Sequence, residues 1–527
     1  MSPRVYRWLK SAWFAPLLLL AAVLVVYLPH LLAHPDFSFD DYYLLSLVAD
    51  GSLPHPFEGF VYKYHAAMRP LAMLSLLVDN VLFGTDSPGY YATNLLIFWL
   101  MVVAAYFVFR RVLADFFAHE GNALPLALAL VLAVHADVFY SAVWISNRTE
   151  SLMVLFTLLS VLAVLRYFST LLRRWLGLAV LLFVVALAAK AQVGFMPLLV
   201  LFIGWLVHRR DESRLTTGKL LAASVPFFLV SAAYVLLVRY YDPALTVIHW
   251  EYMPRKVLTA VGILLISLHP VAAEPIYTFF VGNRMVAVVA FAVLLSLGLL
   301  LWRRIRPQDR RALAGFVLLY VILLYPRIMY HASPRINTMQ VLFVLLFLGW
   351  LATRLRPRLA WSMLGLFFLV HFAGTLAVQL PHWYYTADND RYRNILQAEG
   401  DTPARYYELV AWQHYDPYAM HFFRTGRFGR DSRWMNSPVR LELAYGHRGF
   451  TYDITQTDSS ITFESDDPRV YFAHDTTKIY YPGFRFDWQR EEQPMRYMKV
   501  TVSWDSLPRD LQYYAERNYR LEKLRWE

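Results

Sequence analysis

The chain contains no cysteine. That absence excludes disulfides, thiolate metal sites and cysteine nucleophiles. Charge is sparse, with Asp, Glu, Lys and Arg together making up 17% of the residues. No glycine-rich phosphate loop can be found, which removes the usual signature of a bound nucleotide. No His-rich ligand set appears, and no internal repeat of the kind from which many transporters are built. What is present in quantity is apolar sequence. Hydrophobic residues make up 58% of 527 positions, and the mean hydropathy is +0.37. Several apolar runs reach roughly 20 residues, long enough to cross a bilayer as helices.

A formal charge of +11 raises the question of nucleic acid, and its distribution argues against it. The basic residues cluster at Arg110-Arg111, Arg173-Arg174, Arg209-Arg210, Arg303 to Arg311 and Arg354 to Arg358, each cluster lying between apolar runs. This is the pattern of the positive-inside rule.

Using those clusters as cytoplasmic markers, the sequence predicts about eleven spans. They are Ala12 to Leu32, Tyr91 to Phe109, Leu124 to Val143, Ser151 to Leu165, a span rising to Lys190, Val193 to Val207, Leu220 to Val238, Met285 to Trp302, Ala312 to Leu324, Met339 to Leu351 and Leu359 to Leu380. The first lacks a small-residue cleavage site before Phe37 and reads as a retained helix. The N-terminus is expected inside and the C-terminus outside. The apolar stretch Leu71 to Phe83 is short for a span and is interrupted by Asp79 and Asn80, so it is expected along the interface or against other helices.

The expected fold is therefore a polytopic α-helical membrane protein. Residues 1–380 form the transmembrane domain, with structured outer loops near 34–90 and 239–284. After Leu380 the chain turns polar and rich in Tyr and Trp. Thr451 to Phe463 and Met498 to Trp504 alternate like strands, and Arg509 to Arg525 reads as a helix. Residues 381–527 are thus expected to form a small extracytoplasmic α+β domain.

Several charges fall near the outer helix ends, where topology does not explain them: Asp40, Asp41, Arg69, Arg148, Glu150, Lys190, Arg327 and Arg335, with His331 between the last two. Carboxylates are costly beside a bilayer, so the pair Asp40-Asp41 points to function. Outer arginines and lysines would suit a bound phosphate. Arg148 and Glu150 also fit a structural ion pair. His135 and Asp137 lie in the outer half of one span and fit a local pairing.

Four segments carry a resemblance: Phe39-Asp40-Asp41-Tyr42; Met68-Arg69-Pro70-Leu71 with the following Leu82-Phe83-Gly84 and Pro88 to Leu96; Val143 to Glu150; and Ala189-Lys190-Ala191-Gln192. Together they resemble the GT-C superfamily of membrane glycosyltransferases, which use polyprenyl-phosphate sugars, and especially its protein O-mannosyltransferase-like members. The likeness covers roughly the first 210 residues. It departs where such proteins often have Ser-Lys-Glu, since Ala191 and Gln192 follow the lysine here.

The resemblance implies a transferase that moves a sugar from a polyprenyl-phosphate donor to an acceptor hydroxyl, with inversion, on the outer face of the membrane. Asp40 or Asp41 would be the catalytic carboxylate. Arg69, Arg148, Lys190, Arg327 and Arg335 would bind the donor phosphate, and Glu150, His331 and Tyr42 would contact other parts of the substrates. The acceptor would be a glycan, lipid or protein. No nucleic acid and no certain cofactor are implied, although two adjacent aspartates are compatible with a divalent metal. Leu, Ala and Arg richness points to a bacterial inner membrane. Two other readings stay open, a lipid or glycan transporter (a flippase) and an oligosaccharide ligase.

Overall fold

The computed structural model describes residues 13–33, 36–37, 40–49, 51, 69–210, 216–241, 289, 292, 296, 307–329 and 338–398. In the C-terminal part it describes 405–411, 427–428, 440–444, 453–464, 466, 471–473, 484–493, 496–504, 511–517 and 520–524. The chain divides into two compact units. One comprises Met1–Pro35, Leu53–Leu82 and Pro88–His382; the other comprises Asp36–Ser52, Phe83–Ser87 and Trp383–Glu527.

The first unit is helical. Its long helices are α1 (Phe14–Leu32), then, after the short α2 (Asp40–Ser46) of the second unit, α3 (Pro70–Phe83) and α4 (Ser87–Phe117). A broken pair follows, α5 (Ala123–Ala133) and α6 (Phe139–Val143), and then α7 (Arg148–Thr170), α8 (Arg173–Ala189), α9 (Met196–Arg210) and α10 (Thr217–Tyr241). The last three are α11 (Pro307–Met329), α12 (Thr338–Ala352) and α13 (Pro357–Ala398), whose residues from Trp383 onward belong to the second unit. Among the described residues six helices are long and apolar enough to cross a membrane, or seven if the bent pair is one span. This is an α-helical membrane protein. The outer loop expected near 239–284 lies almost wholly outside the described residues, and the span expected at Met285 to Trp302 is described only at 289, 292 and 296.

Apolar residues on every side suit α5 to an interior position. Leu124, Leu128, Ala129 and Leu132 are all buried. Close approach depends on small residues. A Cβ on Gly349 of α12 would lie 2.7 Å from Leu128 of α5, and one on Gly204 of α9 would collide with Leu220 of α10 and with Phe168 of α7. The helices α7 and α8 form an antiparallel hairpin closed at Leu171, which takes the left-handed conformation (φ 57°) that ends many helices. Ser160 of α7 bridges this hairpin by donating to the Ala179 carbonyl of α8 at 2.7 Å.

The second unit carries a nine-stranded sheet: β1 (Arg405–Ala411), β2 (Arg440–Ala444), β3 (Asp453–Gln456), β4 (Ser460–Glu464), β5 (Tyr471–Ala473), β6 (Phe484–Gln493), β7 (Arg496–Trp504), β8 (Leu511–Arg517) and β9 (Arg520–Leu524). The strand order is β3-β4-β7-β5-β2-β1-β8-β9, and β6 pairs with β7. β1 runs parallel to both β2 and β8. Phe463 pairs directly with Val500, and both are fully buried. The strands expected in Thr451 to Phe463 and Met498 to Trp504 correspond to the hairpin β3–β4 and to β7.

The helix expected at Arg509 to Arg525 is instead the hairpin β8–β9, with Arg517 opposite Arg520. The dense charges there imitate a solvated helix. Tyr513 and Tyr514 favour a strand, and pairing of β8 with the distant β1 decides the matter.

Candidate functional site

Three breaks in the helices of the first unit lie beside its buried charges. At the first, α5 and the segment Ala136–Val143 meet at 59°. His135 caps the short turn that follows, its Nδ1 accepting from the Asp137 N–H at 3.2 Å. That bond leaves the proton of a neutral His135 on Nε2. The carbonyl of Val134, released by the break, accepts from Thr375 Oγ1 of α13 at 2.7 Å. One turn earlier on α13, His371 stacks on His135 with 3.6 Å between ring centroids. Both histidines are fully buried.

The second break is the turn Ile145–Asn147, from which α7 starts at Arg148. Only 1% of the Arg148 side chain is exposed. Its Nε donates to Asn94 Oδ1 at 2.5 Å. Nη1 donates to the Ser75 carbonyl at 3.3 Å, and Nη2 donates to the Tyr90 carbonyl at 3.0 Å. The charge is met by Asp79, whose Oδ2 lies 2.6 Å from Nη2. Thr93 Oγ1 donates to the other Asp79 oxygen at 2.9 Å. Burial pushes the Asp79 carboxyl above its usual range, while Arg148 and the Thr93 hydroxyl pull it down. Every guanidinium nitrogen therefore has an acceptor on α3 or α4, and Arg148 ties the start of α7 to both.

The third break is at Lys190, which ends α8 in an extended conformation before the turn Ala191–Phe195. Lys190 Nζ lies 2.8 Å from Glu150 Oε2, with 9% and 1% of the two side chains exposed. Hairpin geometry explains the meeting. Glu150 sits in the first turn of α7 and Lys190 caps α8, so the antiparallel packing brings them to the same end. Each also sits at the helix terminus whose dipole favours its charge.

No protein-family model, curated protein or solved structure matches this chain. The candidate site therefore rests on its own geometry.

The two central cations of the sequence reading each have an internal carboxylate. Arg148 pairs with Asp79 rather than with Glu150, and Glu150 pairs with Lys190. Neighbouring hydroxyls complete the polar layer. Ser141 Oγ lies 3.1 Å from Thr338 Oγ1 of α12 and accepts from Asn147 Nδ2 at 3.3 Å. Ser151 donates to the Ser141 carbonyl at 2.7 Å.

Asp40 and Asp41 begin α2 in the second unit. Asp41 is fully buried and Tyr42 nearly so. The Tyr42 ring meets Phe37 edge-on at 5.9 Å, and Phe37 in turn meets Phe428 at 5.1 Å. Arg69 precedes α3 and is partly exposed. Arg327 lies in α11, but its side chain and that of Asp40 fall outside the described set, as do His331 and Arg335 entirely. Among the described residues no group of three or more His, Asp or Glu side chains is arranged to hold a metal.

Sequence reasoning missed Asn94, Ser75, Thr338, Thr375 and His371. His371 carried a signal, being an imidazole within the apolar run Phe367 to Val370 and Phe372. The others are small polar residues that any span contains, and only the fold shows whose carbonyl or charge they meet.

Proposed function

We propose that the protein is a membrane glycosyltransferase that moves a sugar from a polyprenyl-phosphate donor to an acceptor hydroxyl. The observation that supports this best is the acidic pair at the start of α2, eight residues beyond α1, with Asp41 fully buried. A buried carboxylate is costly, and a general base shielded from water is a chemical reason to retain one. In this reading the carboxylate of Asp40 or Asp41 takes the proton of the acceptor hydroxyl. The oxygen attacks the anomeric carbon from the face opposite the leaving group. The bond from that carbon to the phosphate oxygen breaks, and polyprenyl phosphate departs with the electron pair. Cations stabilise its charge. Lys190, Arg69, Arg327 and Arg335 are assigned to the phosphate. Arg148, whose nitrogens are already met by α3 and α4, is assigned to holding α7 in place.

The same reading takes the membrane domain to have about eleven spans. These are the six long helices, the bent pair counted once, α8, α11, α12 and the segment 285–302. The N-terminus is cytoplasmic, and the α+β unit and reaction lie on the outer side of a bacterial cell membrane. The acceptor is a glycan, lipid or protein.

Purified protein supplied with polyprenyl-phosphate sugars and candidate acceptors should release polyprenyl phosphate, and the variants Asp40→Asn and Asp41→Asn tell which carboxylate matters. Full transfer by both variants would remove the catalytic assignment. A second reading, a lipid or glycan transporter, is favoured by the 59° break between α5 and Ala136–Val143 and the buried histidines beside it, since broken helices and buried polar groups line many transport sites. Movement of labelled lipid across vesicles, with no donor ever cleaved, would select it.

A further inference from the structure

The helices α4, α7, α9, α11 and α12 line a half-open apolar cavity of about 590 Å³. On α11 the lining runs from Ala312 to Leu323. At 1.5 Å per residue those eleven steps cover about 16 Å, close to one leaflet of a hydrocarbon core about 30 Å thick. The walls are Leu, Val, Ile, Phe and Met with few exceptions. Thr157 is one, and its hydroxyl is spent on the Met153 carbonyl at 2.7 Å. An apolar space of this kind is a poor home for water.

The other charged or hydroxylated lining residue, Asp115, marks one end of the cavity. It pairs with Arg111 at 2.6 Å. Toward that end the lining reaches the close of α4 and stops one to two turns short of the ends of α9 and α12 and of the start of α11. Those helix ends carry the basic sequence, including exposed Arg110, partly exposed Arg310, and Arg354, which pairs with Asp309 at 3.1 Å. The described charges at those helix ends include Arg110, Arg111, Arg310, Arg354, Arg356 and Arg358 against Asp115, Glu120 and Asp309. The cavity is thus one leaflet deep and apolar along its length, and the helix ends nearest Asp115 carry more arginines than carboxylates.

We propose that this cavity binds one acyl chain of an anionic phospholipid, whose phosphate rests on the basic helix ends. Basic pockets between membrane helices recognise anionic headgroups in this way. The inference does not depend on the glycosyltransferase reading. The depth fits a chain from a single leaflet rather than a long polyprenyl tail.

The test is native mass spectrometry of the full chain after delipidation in mild detergent, with phosphatidylglycerol, phosphatidylcholine of the same chains and polyprenyl phosphate as probes. One phosphatidylglycerol per protein should be retained at a concentration at least roughly tenfold below that needed for phosphatidylcholine. Gly315→Phe and Leu319→Trp, which fill the cavity, should abolish that retention, with monodispersity and thermal unfolding checked against wild type. Arg110→Glu, which leaves the cavity intact, should reduce the preference for the anionic lipid. Equal binding of phosphatidylcholine, tighter binding of polyprenyl phosphate, or undiminished retention in folded filled variants would each overturn the proposal. If the filled variants do not fold, competition among the three lipids on wild type decides.

Discussion

Lys190 Nζ lies 2.8 Å from Glu150 Oε2 at the end of the α7–α8 hairpin, and both side chains are buried. A buried pair that loses one member leaves the other as an uncompensated charge. Lys190→Met or Glu150→Gln should therefore destabilise the protein by about 3–5 kcal/mol. The combination Lys190→Met with Glu150→Leu should cost less than either single change, because no charge is stranded. Thermal unfolding in detergent measures this. A double variant less stable than both singles would show that the pair is not the dominant interaction of these side chains.

Arg148 presents a harder case for substitution, because its planar fork meets Asn94, Ser75, Tyr90 and Asp79 at once. Lysine keeps the charge and loses the fork. Arg148→Lys should thus lose most of what Arg148→Met loses, about 3 kcal/mol or more for the latter. Asn94→Ala, which removes one uncharged acceptor, should cost about 1.5–3 kcal/mol, as for other hydrogen bonds to charged groups. The ordering Met, then Lys, then Asn94→Ala is the expected result in a denaturation series. Arg148→Lys matching wild type would mean that charge alone holds α7 against α3 and α4.

Apolar length made the membrane helices legible, and among the described residues six are long and apolar enough to cross a bilayer, or seven with the bent pair. Pairing within the site was not legible. Arg148 and Glu150 invite pairing by proximity in sequence, yet residues two apart on a helix point to different sides. They accordingly reach different partners, Asp79 on α3 and Lys190 beyond α8. The break at Val134 was also invisible, since no proline or glycine marks it. It is supported by Thr375 from 241 residues away, and no local pattern carries that contact. The C-terminal hairpin β8–β9 was misread for the same reason: the parallel partner β1 lies about a hundred residues earlier and outweighs a helix-like charge pattern.

Packing between α12 and α5 leaves no space at Gly349. A Cβ there would sit 2.7 Å from Leu128 and 3.5 Å from Leu113. Gly349→Ala should destabilise by about 1–3 kcal/mol, the usual range for overpacking. Gly349→Ala combined with Leu128→Ala should recover part of that loss by vacating the methyl that clashes. Gly365→Ala on α13, where an added Cβ meets nothing within 4 Å, serves as the control and should be neutral or slightly stabilising, because alanine is the better helix former. Equal loss at both glycines, read by thermal unfolding, would contradict the close approach of α12 to α5.

The catalytic proposal separates from these structural roles by what each variant does to rate. A general base contributes about 10²–10⁴-fold. Whichever of Asp40 and Asp41 is the base, its Asp→Asn variant should lower kcat by about that factor, while the amide fills nearly the same space. Thermal stability should change little for that variant, and binding of polyprenyl phosphate should persist. Lys190→Met should show a different signature if the proposal holds, because Lys190 would then serve both the ion pair with Glu150 and the phosphate: lower stability together with weaker polyprenyl-phosphate binding. The discriminating measurement is kcat, unfolding temperature and product-lipid affinity on the same preparations. Loss of rate in Asp41→Asn that merely follows loss of folded protein would assign that buried carboxylate to structure and leave Asp40 as the base to be tested.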